Sequence, residues 1–229
     1  GEMDDSTLVL HGDLYCVGGM DPMLSSSDLA EMARVIRNHG ITCVEGNLYT
    51  DFSFKDRDRL GKGWCWDDKA RPLTPLLYRR GNKFADHLLR ALSEAGITVG
   101  GFVRTGVAPN SAPIWLMRTH TIDQVLRPMM KESDNLCAES LFFQLAALSR
   151  RPYATYRDAA AQMSKLISRW GITPAEYKIA DGSGLSLYNY VTPELLTLCL
   201  RHAYRNDEIF QHLYAALPVM GRDGTLRSR

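Results

Sequence analysis

The chain has 229 residues, of which 45% are hydrophobic and 23% are charged, and this composition is typical of a globular protein. Its 27 Lys and Arg residues nearly balance its 26 Asp and Glu residues, so the formal net charge is +1. This balance argues against nucleic acid as a partner, and against an anionic membrane bound through bulk charge. No apolar run approaches the roughly 20 residues of a transmembrane helix, so we expect no transmembrane segment.

Strand and helix signals alternate in the first half of the chain, which indicates an α/β region. Glycines mark the ends of two predicted helices, one that begins at Ser25–Asp28 and stops at Gly40, and one that stops at Gly96. The predicted strands cover 8–10, 14–17, 41–48 and 97–99, and the second helix covers 82–95.

Helical patterns dominate from about Ile114 onward. The predicted helices cover 121–130, 136–148, 156–170 and 193–204, and Pro128 is expected to kink or stop the first of them. The segment 107–113 contains two prolines and is the best candidate for a domain boundary. We therefore predict an α/β domain over 1–113 and a mostly helical domain over 114–229.

Scanning for common functional motifs excludes several classes of protein. The chain contains no P-loop, no G-x-G-x-x-G, no H-E-x-x-H and no G-x-S-x-G. Its five cysteines are scattered without a C-x-x-C pair, and its six histidines have no paired spacing. These patterns indicate neither a zinc site nor a disulfide framework.

The tripeptide Ser133-Asp134-Asn135 lies between two predicted helices. In active-site serine penicillin-recognising enzymes, such a tripeptide accompanies an S-x-x-K nucleophile motif and a K-T-G strand. A serine nucleophile with a lysine base needs a second hydroxyl to relay a proton, and an amide to hold the lysine and the substrate carbonyl. Taken alone, the tripeptide is better explained as an N-cap of the following helix.

The wider sequence resembles the penicillin-binding protein family of D-alanyl-D-alanine carboxypeptidases/endopeptidases, the low-molecular-mass class with a large insert between the first two motifs. Five blocks occur in the family's order, at 12–15 with 18–24, 63–68, 133–135, 181–186 with Asn189, and 221–226. The resemblance implies an α/β (α+β) protein of the β-lactamase/transpeptidase-like fold. Residues 1–113 would be an α/β insert domain, and 114–229 the helical part of the catalytic domain.

The resemblance also implies roles for individual residues. Ser133 would relay the proton, and Asn135 would position the base and the substrate. Trp64 and Asp67 match positions that reach toward the amino group of the peptidoglycan stem's diamino acid, and a carboxylate beside an indole suits an ammonium group. For this pair, a role of Asp68 or a purely structural loop is the alternative.

The block at 181–186 would lie near the rim of the cleft, where Ser183 would support substrate binding. The family usually has a basic residue directly after this block, associated with the carboxylate of the stem peptide, but this chain has Leu187. This chain therefore either lacks that recognition or assigns it to another residue, for which Arg201 and Arg222 are candidates.

The chain contains neither S-x-x-K nor K-T-G. We expect it to be an interior piece of the enzyme, inactive alone, with the nucleophile segment before Gly1 and the K-T-G strand after Arg229. The resemblance implies a periplasmic serine-type carboxypeptidase/endopeptidase that acts on peptidoglycan stem peptides through an acyl-enzyme, binds β-lactam antibiotics and needs no metal or other cofactor. The alternatives are a non-catalytic peptidoglycan-binding or scaffold module and a β-lactamase of the same fold.

Overall fold

The computed structural model describes residues 2–4, 8–68 and 70–229. The chain forms two compact units, one made of Gly1–Lys55 with Thr74–Thr119 and the other of Asp56–Leu73 with His120–Arg229. The predicted boundary after residue 113 is therefore not where the units divide. The first unit extends to Thr119, and the segment 56–73 joins the second unit.

Side-chain contacts explain why residues 114–119 stay with the first unit. The ring of Trp115 stacks on His39 with the ring centroids 5.3 Å apart. The guanidinium of Arg118 donates to the carboxylate of Asp28, which is almost fully buried. Because a buried carboxylate needs such partners, the Arg118 contact fixes the end of this unit.

Two small sheets form the centre of the first unit. One contains, in spatial order, β1 (Glu2–Asp4), β2 (Val9–His11), β4 (Cys43–Val44) and β6 (Thr98–Val99). The other contains β3 (Leu14–Val17), β5 (Leu48–Asp51) and β7 (Val103–Thr105). The β1–β2 pair is antiparallel and the remaining pairs are parallel.

The prediction of one strand over 41–48 was wrong, because the chain leaves the first sheet after β4 and enters the second at β5. The carboxylate of Asp13 accepts both the backbone N–H of Asn47, at 2.7 Å, and its side-chain amide, at 3.1 Å. Gly46 lies so close to Gly12 that a Cβ would stand 2.5 Å from the Gly12 carbonyl oxygen. The switch between sheets therefore depends on a partner 34 residues away in the sequence.

Helices α1 (Ser26–Asn38) and α2 (Phe84–Glu94) pack against each other and enclose the core of the first unit with the strands. Both were predicted, as was the strand that follows α2. The glycines after them, Gly40 and Gly96, have φ values of 84° and 73°. This left-handed conformation is the reason that glycine ends each helix.

The second unit is helical. Its helices are α3 (Ile122–Lys131), α4 (Asn135–Ala147), α5 (Tyr156–Ser168), α6 (Pro193–Tyr204) and α7 (Asp207–Ala216), with 3₁₀ turns at Pro174–Glu176 and Gly224–Leu226. Helix α4 packs against α3 and α5, and α7 packs against α3 and α6. These contacts link the helices in the spatial order α5, α4, α3, α7, α6.

The sequence predicted four of these helices to within two residues at each end. Of the two expected effects of Pro128, a kink or an early stop, the stop is not observed, because α3 continues through Pro128 to Lys131. Helix α7 was not predicted, although Asn206 caps it and two acidic residues follow in its first turn. Within the described ranges, no helix combines the length and apolar content that crossing a bilayer requires.

Candidate active site

The Ser-Asp-Asn tripeptide forms the junction between α3 and α4. Ser133 is exposed and has a φ of 55°, a left-handed conformation that is costly for a residue with a side chain. The N-cap of α4 is Asp134, whose carboxylate accepts the backbone N–H of Cys137 at 3.0 Å. Asn135 is the first residue of the helix. Among the described contacts, none uses the hydroxyl of Ser133, so capping does not account for this serine.

Glu139 follows Asn135 by about one helical turn and therefore lies on the same side of α4. Its side chain is only 1% exposed. One carboxylate oxygen accepts the backbone N–H groups of Gly182, at 3.0 Å, and Ser183, at 2.8 Å. This carboxylate thus attaches the loop 181–186 to the helix that begins with the tripeptide.

Asp181, at the start of that loop, is 5% exposed and accepts hydrogen bonds from two parts of the second unit. The indole N–H of Trp64 donates to its Oδ2 at 2.8 Å. Its other donors belong to the loop and the residues after it: the backbone of Gly184 and Ser186, the hydroxyl of Ser183 and the side-chain amide of Asn189. Asp181 therefore joins the loop 181–186 to the segment 56–73.

The two predicted substrate residues of that segment differ in their surroundings. Trp64 is half-buried and anchored by Asp181, whereas Asp67 is exposed. The carboxylate of Asp68 accepts the backbone N–H of Cys65 at 2.6 Å and so closes a local turn. The carboxylate of Asp67 takes no part in closing this turn and is exposed to solvent.

The structure brings some of the predicted site residues together. Trp64 and Ser183 both donate to Oδ2 of Asp181. Ser133 and Asn135 lie at the start of α4, which reaches the same loop through Glu139. In the part of the chain that is described, no hydrogen bond joins either of them directly to Trp64, Asp67 or Ser183.

A cavity of about 140 Å³ lies beside Glu139. The ionisable groups that line it come from the segment 56–63, from the 181–186 loop and from α4 and α5: Asp56, Asp58, Lys62, Glu139, Tyr156 and Asp181. The pKa of Glu139 is raised to about 7, mainly by burial and also by the negative charge of Asp181, against the lowering effect of its hydrogen bonds with Ser183 and Gly182. Among the described residues, no group of His, Cys, Asp and Glu is arranged to hold a metal ion.

The sequence did not single out Glu139 or Asp181 as members of the site. Glu139 was detectable in principle, because it is a carboxylate inside an otherwise apolar helix segment, among Leu136, Cys137 and Phe142. The bond from Trp64 to Asp181 joins residues 117 positions apart, so no local pattern reports it.

Comparison with known proteins supplies a family. The model of the D-Ala-D-Ala carboxypeptidase 3 (S13) family matches residues 2–77 and 78–229. A D-alanyl-D-alanine carboxypeptidase DacB of Haemophilus influenzae is 30% identical over 146 residues, which cover 63% of this chain and 30% of the relative. A D-alanyl-D-alanine carboxypeptidase of Actinomadura sp. (strain R39) is 36% identical over an alignment of 316 positions, which covers 95% of this chain and 58% of the relative.

The aligned part of the chain thus spans 30% of the length of the first relative and 58% of the length of the second. Because the alignment with the Actinomadura enzyme has 316 positions and this chain has 229 residues, that relative carries additional residues inside the aligned region.

The fold is similar to that of a solved structure. Penicillin-binding protein 4 (dacB) of Haemophilus influenzae superimposes with a TM-score of 0.88 at 21% identity, over 100% of this chain and 68% of that one. The same protein complexed with a β-lactam gives a TM-score of 0.75 at 22% identity, over 100% and 67%. The predicted fold class, an α+β protein with the fold of the penicillin-recognising enzymes, is therefore confirmed.

The raised pKa of Glu139 makes the stability of the protein depend on pH. The folded state holds this proton up to about pH 7, whereas the unfolded chain releases it near 4.5. The contribution of Glu139 to the free energy of unfolding is therefore fully present below pH 4.5 and is lost as the pH rises to about 7, by up to about 1.4 kcal/mol per pH unit.

We expect the neutral variant Glu139→Gln to remove this part of the pH dependence. Urea unfolding of both proteins between pH 4.5 and 8 measures it, and the difference in unfolding free energy should shift in favour of the variant as the pH rises. A difference that is constant across this range would contradict the raised pKa.

Proposed function

Because this chain belongs to the D-Ala-D-Ala carboxypeptidase 3 (S13) family, we propose that it is part of a serine-type D-Ala-D-Ala carboxypeptidase/endopeptidase that processes peptidoglycan. The whole enzyme acylates a serine with the carbonyl of the penultimate D-Ala, releases D-Ala or cuts a crosslink, and then hydrolyses the acyl-enzyme. The nucleophile lies in an S-x-x-K segment outside these 229 residues, as does the K-T-G strand.

The observation that carries this proposal is the state of the tripeptide at the start of α4. Asp134 caps the helix, which leaves the hydroxyl of Ser133 for proton transfer and the amide of Asn135 for contacts with the base and the substrate carbonyl. Ser133 is held in a left-handed conformation, and strained backbone of this kind is concentrated at active sites. In this role, Ser133 passes a proton to the leaving nitrogen and Asn135 orients both the lysine and the substrate.

The substrate in this proposal is a stem peptide with a free side-chain amine. The exposed carboxylate of Asp67 pairs with the ammonium group, and the indole faces at Trp64 and at Trp66, which is 92% exposed, add cation–π attraction. Leu187 is 80% exposed and uncharged, so the carboxylate of the peptide is bound by another group. The Ser183 hydroxyl supports the loop at the rim of this region.

The same serine nucleophile would react with β-lactam antibiotics. Their strained ring amide would acylate the serine in place of the stem peptide. Peptidoglycan as substrate places the enzyme in the periplasm or cell envelope of a bacterium. The chemistry needs no metal or organic cofactor, because the hydroxyl and amine groups of the protein perform the proton transfers.

Labelling with a fluorescent penicillin tests the proposed function. We expect the longer protein, with its S-x-x-K and K-T-G segments, to form a covalent adduct, and the 229-residue chain to form none. The adduct is read by gel fluorescence and intact-mass spectrometry. A longer protein that folds and remains unlabelled would instead indicate a non-catalytic module, and a stable adduct on the 229 residues would refute the position of the nucleophile.

The variant Ser133→Gly separates the hydroxyl of Ser133 from its backbone. Glycine adopts a φ of 55° without strain, so the free energy of unfolding should not fall. Loss of the proton relay should nevertheless slow acylation of the longer protein by roughly two orders of magnitude or more. Stopped-flow labelling with penicillin measures this rate.

The matched control for that experiment is Ser140→Ala. This serine is buried on the same helix and donates to the carbonyl of Leu136 at 2.8 Å, so its removal should leave acylation unchanged. If Ser133→Gly also acylates at the unaltered rate, Ser133 is a turn residue only.

Replacement of Asp67 tests the ammonium site. We expect Asp67→Ala to lower kcat/KM for stem peptides with a free side-chain amine by about tenfold, the equivalent of one charge-assisted contact, and to have little effect on peptides in which that amine is acetylated. Steady-state hydrolysis of the two peptides measures the ratio, with Asp68→Ala as the neighbouring control. Equal losses for both peptides would contradict the assignment.

A further inference from the structure

We propose that Glu139 is a positioning residue of this site. It attaches the 181–186 loop to α4, and through Asp181 in that loop it fixes the position of the Trp64 indole. The structural part of this inference concerns contacts within the second unit. Only its consequence for catalysis rests on the proposed function.

The first step is the attachment of the loop to α4. Glu139 accepts the backbone N–H groups of Gly182 and Ser183 through one carboxylate oxygen. Gly182 approaches the helix so closely that a Cβ there would stand 2.5 Å from Cβ of Phe142 and 2.8 Å from the carbonyl oxygen of Ala138. The hydrogen bonds and the close packing therefore specify the same position of the loop on α4.

The second step leads from the loop to Trp64. Asp181 directly precedes the two residues that Glu139 holds, and its Oδ2 accepts the indole N–H of Trp64. The backbone N–H of Ser186 donates to that same oxygen at 2.6 Å, and the Asn189 amide donates to the other at 2.6 Å. With donors on both oxygens, the carboxylate has little freedom to rotate, so the position of the loop determines the position of the indole.

A third contact holds the turn before Trp64 against the same loop. Gly63 has a φ of 81°, and a Cβ at this position would lie 2.7 Å from the hydroxyl oxygen of Ser186 and 2.5 Å from the ring of Tyr188. Gly63 is therefore packed against Ser186 and Tyr188, next in sequence to the residue that binds Asp181. Displacement of the loop from α4 must move this turn as well.

Position 139 requires an acceptor and tolerates loss of the charge. Alanine at this position would remove the acceptor of two part-buried hydrogen bonds, from the backbone N–H groups of Gly182 and Ser183, which is costly. Glutamine keeps a carbonyl oxygen that can accept both. Alanine at position 139 should therefore release the loop, whereas glutamine should retain it.

The indole N–H signal of Trp64 in ¹H–¹⁵N NMR spectra, assigned by its loss in Trp64→Phe, reports this position directly. We expect Glu139→Ala to shift the signal and to speed hydrogen exchange of the indole by at least about tenfold, the equivalent of losing one or two hydrogen bonds. Glu139→Gln should leave both close to the wild-type values. Gly182→Ala should reproduce the effect of Glu139→Ala, because its methyl group pushes the loop off α4.

Asp158→Ala is the matched control. It removes another buried carboxylate of the second unit, one that binds the Thr155 hydroxyl and Arg151 at the start of α5. This variant should lose stability without moving the Trp64 signal. An unchanged Trp64 signal in folded Glu139→Ala or Gly182→Ala, or an equal shift in Asp158→Ala, would overturn the inference.

Kinetics of the longer protein separate this inference from the proposed function. If Trp64 binds the stem peptide, Glu139→Ala should raise KM for the peptide more than it lowers kcat, and Glu139→Gln should restore KM. A moved Trp64 signal with unaltered peptide kinetics would uphold the positioning role of Glu139 and refute the proposed role of Trp64 in substrate binding.

Discussion

The carboxylate of Glu139 is the contact on which the organisation of the candidate site depends. Burial of a carboxylate is costly unless hydrogen bonds compensate for the lost water, and the loop 181–186 supplies two backbone N–H groups to one oxygen of Glu139. The backbone of the loop is thereby committed to one conformation. That conformation in turn places a second buried carboxylate, Asp181. Its hydrogen-bond donors are Trp64 and residues that follow Asp181 in the chain.

The two carboxylates lie near each other, and this proximity is unfavourable when both are ionised. The pKa of Glu139, at about 7, records that cost together with the cost of burial. An apolar residue at this position would avoid the charge but would leave the N–H groups of Gly182 and Ser183 unpaired. The site thus retains a strained electrostatic arrangement because it yields a defined loop, a compromise that is common where geometry matters more than stability.

Local signals explain which parts of the fold were predictable from the sequence. Helices α1, α5 and α6 carry their own caps and apolar faces, so their bounds follow from a few neighbouring residues. The exchange of strands between the two sheets depends instead on Asp13 reaching Asn47, and the boundary at Thr119 depends on Arg118 reaching Asp28. These are tertiary contacts, which a pattern of residue types along the chain does not encode.

The candidate site divides along the same line. Ser133 and Asn135 could be proposed from the sequence because their motif is contiguous, whereas the anchoring of Trp64 by Asp181 arises only when distant segments meet. The structure adds that the three residues of the motif have three separate tasks in the backbone: Ser133 turns the chain, Asp134 caps the helix and Asn135 begins it.

This separation bears on the choice between a structural and a catalytic tripeptide. A helix cap requires one acceptor, and Asp134 provides it, so neither Ser133 nor Asn135 is needed for capping. The turn itself would be formed more cheaply by glycine than by a serine with a φ of 55°. Ser133 is thus dispensable for the cap and unfavourable for the turn, which supports the proposed role of its hydroxyl. Helix α4 packs against both α3 and α5, and it binds the loop through Glu139. Ser133 therefore lies just before a helix that is well supported by its neighbours, as a catalytic group requires.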